Sequence, residues 1–192
     1  MVEPFERKSS RTVLETPIFR VREDLASHPV SGHEGRYVVL ESPDWVNVVA
    51  LTAEGRLLMV RQWRHGTRSI ELEIPAGMVD SGEAPLEAAA RELREETGYE
   101  ASQWTLIGQV RPNCAYQNNT CYTALAIGCV KAGEQDLDAG EDIEVVELEI
   151  DETRELFRRG ELQNAMVLCG LMWWLDGRGD VEWSPAAEKS SK

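Results

Sequence analysis

The chain has 192 residues, 42% of them hydrophobic and six of them tryptophan, with 34 acidic against 20 basic side chains and a formal charge of -14. That length and apolar content exclude a disordered chain and fit one domain with at most a small extra subdomain. The acidic balance argues against a nucleic-acid or anionic-membrane partner, since both attract basic surfaces. No apolar run approaches the roughly 20 residues that span a bilayer, and the N-terminal MVEPFERKSS lacks the apolar segment of a secretory signal. A cytoplasmic protein is expected. Cys114, Cys121, Cys129 and Cys169 form no C-x-x-C pair and have no histidines at metal spacing, so they read as reduced thiols and not as a zinc site.

The first half alternates as strands do, in TVLETPIFRVRED, RYVVLES, WVNVVALT and GRLLMVRQW, broken by the turn signals SGHEG, SPD and AEG. ELEIP at 71 to 75 is a further candidate strand. Helical periodicity then sets in at Leu86, Ala89, Ala90 and Leu93. Pro85 suits the first turn of that helix and Gly98 its end. Strands resume in QWTLIGQVR, CYTALAIGCV and, after an acidic loop, EDIEVVELEI; helices ETRELFRRG and LQNAMVLCGLMWWLDG follow. This order predicts a mixed sheet with helices packed on it. The closing SPAAEKSSK reads as a frayed tail.

At 100° per residue, Glu92, Glu95 and Glu96 fall in one arc beside the apolar arc of Ala89, Ala90 and Leu93. Like charges at that spacing cost a few tenths of a kcal/mol per pair, more when partly buried. The cluster therefore makes sense chiefly with a counter-ion, and hard oxygen-seeking Mg²⁺ or Mn²⁺ is the natural one. A bare E-x-x-E-E would more often be a solvated face paired with Arg91 and Arg94. Here the surroundings decide, because Gly77, Glu83 and then RELREETGY from Arg91 to Tyr99 reproduce the spacing G-x5-E-x7-R-E-U-x-E-E-x-G-U. Tyr99 departs mildly from it, being aromatic where an aliphatic residue is commoner.

On those residues the chain resembles the Nudix hydrolases, over about residues 12 to 176. The resemblance implies an α/β/α sandwich with a mixed β-sheet, metal-dependent hydrolysis of a nucleoside diphosphate linked to another group, and an enzyme rather than a nucleotide-sensing regulator. It implies Glu92 and Glu96 as the main metal ligands, Glu95 as a third, the carbonyl of Ala76 as another, and Arg91 as the residue that orients the glutamates. Glu83 would hold the loop. Bound Mg²⁺, with Mn²⁺ as substitute, would neutralise phosphate charge and lower the pKa of a water.

VRQWRHGTRSIELEIPAG is similar to the ADP-ribose pyrophosphatase and nucleoside diphosphate sugar hydrolase branch. That branch implies a strand-rich N-terminal subdomain over residues 1–42, exchanged in a homodimer, a catalytic domain over 43–180 and a tail over 181–192. Its S-P-G-x-x-x-E pattern is replaced here by RPNCAYQNNT, which tilts the expectation from ADP-ribose towards nucleotide sugars. Dinucleoside polyphosphates are the runner-up.

Arg64, and after it Arg61, are candidates for phosphate or sugar contact, against the alternative of surface ion pairs. Glu73 and Glu71 share a strand face and are candidates for contact with a ribose or a metal-bound water, against the alternative of an exposed edge-strand face, the stronger reading for Glu71. Arg111, Asn113, Asn118 and Asn119 cluster on a loop that could read hydroxyls, although loops favour asparagine for conformational reasons alone. Trp63 and Trp45 are more often core or interface than base-stacking residues. For a general base the acidic run 133 to 146 offers Glu141, with Glu144 second; the alternative is a solvated loop.

Overall fold

The computed structural model describes residues 1–177; the tail expected at 181–192 lies outside them. The described chain divides into two compact units, one of Met1–Asp44 with Arg111–Thr120, the other of Trp45–Val110 with residues 121–177.

The first unit is a three-stranded antiparallel sheet, β1 (Glu6–Glu15), β2 (Arg20–Ser27) and β3 (Glu34–Glu41), in the order β1-β2-β3. The stretch TVLETPIFRVRED, read above as one run, is divided here. Thr16 accepts from the amide of Phe19 at 3.0 Å through its hydroxyl, and its amide donates to the Phe19 carbonyl at 3.0 Å, a turn that separates β1 from β2. β1 also begins earlier than its apolar pattern, in the charged ERKSSR, because an edge strand exposed throughout is held by backbone pairing and not by burial. Segment 111–120 docks on β3: the Leu40 amide donates to the Tyr116 carbonyl at 2.7 Å, and the Thr120 amide donates to Asp44 at 2.7 Å.

The second unit is built on an eight-stranded mixed sheet. Its path is β11-β5-β4-β10-β8, with β6 paired to β5, β7 to β4 and β9 to β10. These strands are β4 (Trp45–Thr52), β5 (Leu57–Arg64), β6 (Ser69–Glu73), β7 (Ala76–Met78), β8 (Tyr99–Glu100), β9 (Gln103–Val110), β10 (Cys121–Lys131) and β11 (Ile143–Leu148). β10 runs parallel to β4, with Ala124 opposite Val48. The very short β7 and β8 carry too few residues to show a period of two.

Alternation along β4 makes a three-layer arrangement. Val46, Val48 and Ala50 pack with Ala88, Ala89 and Leu93 of α1 (Pro85–Thr97) on one face. Val49 on the other face packs with Val167 and Leu171 of α3 (Ala165–Leu175), and Leu156 and Phe157 of α2 (Ile150–Arg159) join that cluster. Each face thus buries apolar helix surface, α1 on one side and α2 with α3 on the other, the condition for a stable α/β/α sandwich. α3 starts at Asn164, whose side chain accepts from the Met166 amide at 2.9 Å. Among the described residues no helix is long and apolar enough to cross a membrane, and the four cysteines are free thiols.

Candidate active site

α1 is the element that carries the acids. Pro85 occupies its first turn, Glu87 accepts from the Ala84 amide at 3.0 Å, and Gly98 ends it in the left-handed region at φ 72°. A Cβ on Gly98 would also stand 2.3 Å from the Gly133 carbonyl oxygen, so the position requires glycine twice over. Tyr99 follows. Its ring packs on the α1-side core, and its hydroxyl donates to Glu147 at 2.6 Å, a bond that an aliphatic residue could not make.

The polar side of α1 faces a cavity of about 540 Å³ whose walls include Gln62, Arg64, Ala76, Glu92, Glu95, Glu96 and Glu141. Glu96 is almost wholly buried, and one carboxylate oxygen accepts from the Ala76 amide at 3.0 Å. Burial raises its pKa to about 8, with the neighbouring charges of Glu92 and Glu141 adding to the rise and the Ala76 amide opposing it. Burial likewise raises Glu92. Gly77 makes room for that side chain, for a Cβ there would lie 2.0 Å from the Glu92 carboxyl carbon.

The two arginines of the cavity are already committed. Arg64 holds Glu73 in a bidentate pair, Nε to Oε1 at 3.0 Å and Nη2 to Oε2 at 2.8 Å. Arg91 makes the same fork with Glu83, both bonds at 3.0 Å, and Glu83 in turn accepts from the Asp80 amide at 3.0 Å. Arg91 further donates through Nη1 to Glu92 at 2.8 Å and Glu95 at 3.0 Å, and through Nη2 to the Met78 carbonyl at 2.9 Å. It therefore spans the glutamates and ties α1 to the strand before it.

Charge accounting favours a cation. Arg64 pairs with Glu73, and Arg91 is shared by Glu83, Glu92 and Glu95, so two arginines stand against a larger number of glutamates once Glu96 and Glu141 are included. The donors are all hard oxygen, the set that suits Mg²⁺ or Mn²⁺. Among the described residues, no three His, Cys, Asp or Glu side chains are grouped as a metal site in the present arrangement; one Arg91 nitrogen lies against both Glu92 and Glu95.

The remaining sequence candidates divide. Glu73 is buried with both oxygens on Arg64, so it positions that guanidinium instead of presenting a free carboxylate. Arg61 and Glu144 are not among the residues that line this cavity. They form an exposed ion pair at 3.1 Å between β5 and β11. Glu71 accepts from the hydroxyls of Thr67 at 3.0 Å and Ser69 at 2.5 Å. Arg111, Asn113 and Asn119 belong to the first unit. There Arg111 is exposed, Asn113 accepts from the Ala115 amide at 3.3 Å, and Asn119 is buried.

Gln62 lies outside the sequence candidates, although alternation gives its signal: two residues before Arg64, it must share that face while Arg61 takes the other. Asp136 and Asp138 also line the cavity, from the acidic run in which Glu141 was singled out.

A model of the NUDIX domain matches residues 42–167, and the chain belongs to that family of hydrolases. An ADP-ribose pyrophosphatase of Mycobacterium tuberculosis is 34% identical over 88% of this chain and 82% of its own length. An ADP-ribose pyrophosphatase of Bacillus subtilis is 32% identical over 74% of this chain and 78% of its own. A methanol dehydrogenase activator of Bacillus methanolicus is 28% identical over 88% and 92%. The crystal structure of an ADP compounds hydrolase superposes with a TM-score of 0.81 over 94% of this chain and 99% of that one, at 24% identity.

Proposed function

We propose that the chain hydrolyses the diphosphate bond of ADP-ribose or a related nucleoside diphosphate sugar, giving a nucleoside monophosphate and a sugar phosphate. The observation that carries this reading is the buried Glu96, held by the Ala76 amide in a cluster of carboxylates that Arg64 and Arg91 together do not balance. The relatives named ADP-ribose pyrophosphatases support ADP-ribose itself, so the tilt away from it on RPNCAYQNNT gains nothing from them.

Glu92, Glu95, Glu96 and the carbonyl of Ala76 would hold Mg²⁺, with Mn²⁺ as substitute, in exchange for the contacts Arg91 now makes with Glu92 and Glu95. Bound divalent cations supply charge neutralisation and orientation at the diphosphate. Arg64, fixed by Glu73, binds a phosphate oxygen. Glu141 accepts the proton of the attacking water; a phosphorus–oxygen bond forms, and the bond to the bridging oxygen breaks with its electron pair leaving on the second phosphate. A neighbouring cavity of about 350 Å³, lined by Trp45, Asn47 and Met166 and sharing Arg64, Gly77 and Met78, offers apolar surface for the uncharged end of such a substrate.

The test is turnover of ADP-ribose, ADP-sugars, GDP-mannose and UDP-sugars with Mg²⁺ and Mn²⁺, products identified by mass. Absence of a nucleoside monophosphate from every one would overturn the reading. The relative named as a dehydrogenase activator carries a second reading, a regulator of a partner enzyme, and the same panel separates the two. We further infer a homodimer in the cytoplasm: the first unit exposes Val13, Leu14, Ile18 and Val38, and free thiols fit a reducing compartment. A monomeric mass by light scattering would refute the dimer.

A further inference from the structure

The loop that carries Glu141 is closed by one side chain that the reaction as described does not use. Gln135 is half-buried, and its amide nitrogen donates twice, to the Glu96 carbonyl at 2.6 Å and to the Ile143 carbonyl at 3.0 Å. Both of its hydrogens are therefore spent. The two carbonyls belong to the last turn of α1 and the first residue of β11, so a single amide pins both ends of segment 136–142 to the helix that bears the acids. Backbone bonds reinforce the seam: the Asp136 amide donates to the Glu95 carbonyl at 2.9 Å, and the Ala132 and Gly133 amides donate to the Gly98 carbonyl at 2.9 and 3.1 Å. The helix end would otherwise leave these carbonyls without partners.

Inside the pinned segment, Glu141 accepts from the Asp138 amide at 3.0 Å and donates its own amide to the Asp138 carbonyl at 2.9 Å. The segment is thus a compact turn whose position depends on its two anchored ends. Its charge reaches the site, since Glu141 contributes to raising both Glu92 and Glu96. A carboxylate on an exposed loop has no such fixed position by itself.

We propose that Gln135 is a positioning residue for hydrolysis, holding Glu141 at a fixed place relative to Glu92 and Glu96 by bridging α1 to β11. This rests on the reading of Glu141 as the base. Gln135→Met keeps the length of the side chain and removes both donors.

The test measures kcat, KM and amide hydrogen exchange on full-length Gln135→Met, Glu141→Gln and the double variant, with ADP-ribose and Mg²⁺. Glu141→Gln is expected to lower kcat about 10²-fold or more. Gln135→Met is expected to lower kcat roughly 10-fold with KM within about twofold, because misplacement of a catalytic group costs rate and not binding. It should also speed exchange at 136–142 while leaving α1 unchanged, and cost less than about twofold further when Glu141 is already Gln. A Gln135→Met protein with normal kcat beside an impaired Glu141→Gln would overturn the positioning role alone, as would an equal loss in both backgrounds or unaltered exchange in the loop. A Glu141→Gln protein with normal kcat would overturn the base and the positioning role together.

Discussion

Gly77 and Glu92 occupy one space: the carboxyl carbon of Glu92 lies 2.0 Å from where a Cβ on residue 77 would be. The backbone of Gly77 is not left-handed, so the glycine serves the neighbour and not its own conformation. The obstructing atoms are the far end of a flexible side chain, which moves at little cost. Gly77→Ala is therefore expected to keep its melting temperature and to lose about 10²-fold in kcat, since a shift of about 1 Å in a reacting group has that effect. A variant that kept its rate would show that Glu92 need not lie where it does.

The buried Glu96 makes stability depend on pH. Its folded pKa of about 8 lies above the ordinary glutamate value of 4.5. Between those values the native state retains a proton that the unfolded chain has lost, so stability falls as pH rises through the window. In EDTA, melting temperature should drop by roughly 10 °C from pH 5 to pH 8, the order expected for a few kcal/mol in a domain of this size. Glu96→Gln should flatten the profile, remove most of kcat and leave the fold intact. Mg²⁺ should raise the melting temperature at pH 8 more than at pH 5.

The Arg64–Glu73 pair is lopsided, with side-chain exposures of 41% and 2%. Removing Arg64 strands a carboxylate in the interior, whereas neutralising Glu73 leaves a guanidinium that reaches water. Arg64→Ala should cost about 2 kcal/mol, less than for a wholly buried pair, and Glu73→Gln about 1 kcal/mol. Denaturant unfolding of both would check the order. Both should raise KM, Arg64→Ala the more.

The Tyr99 hydroxyl on Glu147 raises the phenol to about 12. A raised folded pKa means that the bond contributes below pH 10 and is lost between about 10 and 12. Tyr99→Phe should lower stability by about 1 kcal/mol at pH 8, with kcat unchanged. Equal stability of the two proteins at that pH would count against the bond.

The motif from Gly77 to Tyr99 is legible because its spacing is dictated by one helix and the turn before it. Glycine, arginine and glutamates must recur at fixed intervals for Arg91 to span Glu83, Glu92 and Glu95. Strand alternation is legible too, and it puts Gln62, not Arg61, on the face of Arg64. What lay beyond reading were contacts set by tertiary approach: Gln135 lies 39 positions from the Glu96 carbonyl that it meets. Segment 111–120 looked like a loop of the main domain. It groups instead with the first unit, because its partners are backbone groups of β3 and the side chain of Asp44, which no local pattern announces.

Arg91 gathers Glu83, Glu92 and Glu95 from one contiguous run, residues 78 to 95, whereas Arg64 and Gln62 come from a separate strand and Glu141 from a separate loop. The bonded glutamates are thus fixed by one helix and the turn before it, whereas the proposed phosphate contact and proton acceptor each depend on a separate element reaching the same cavity.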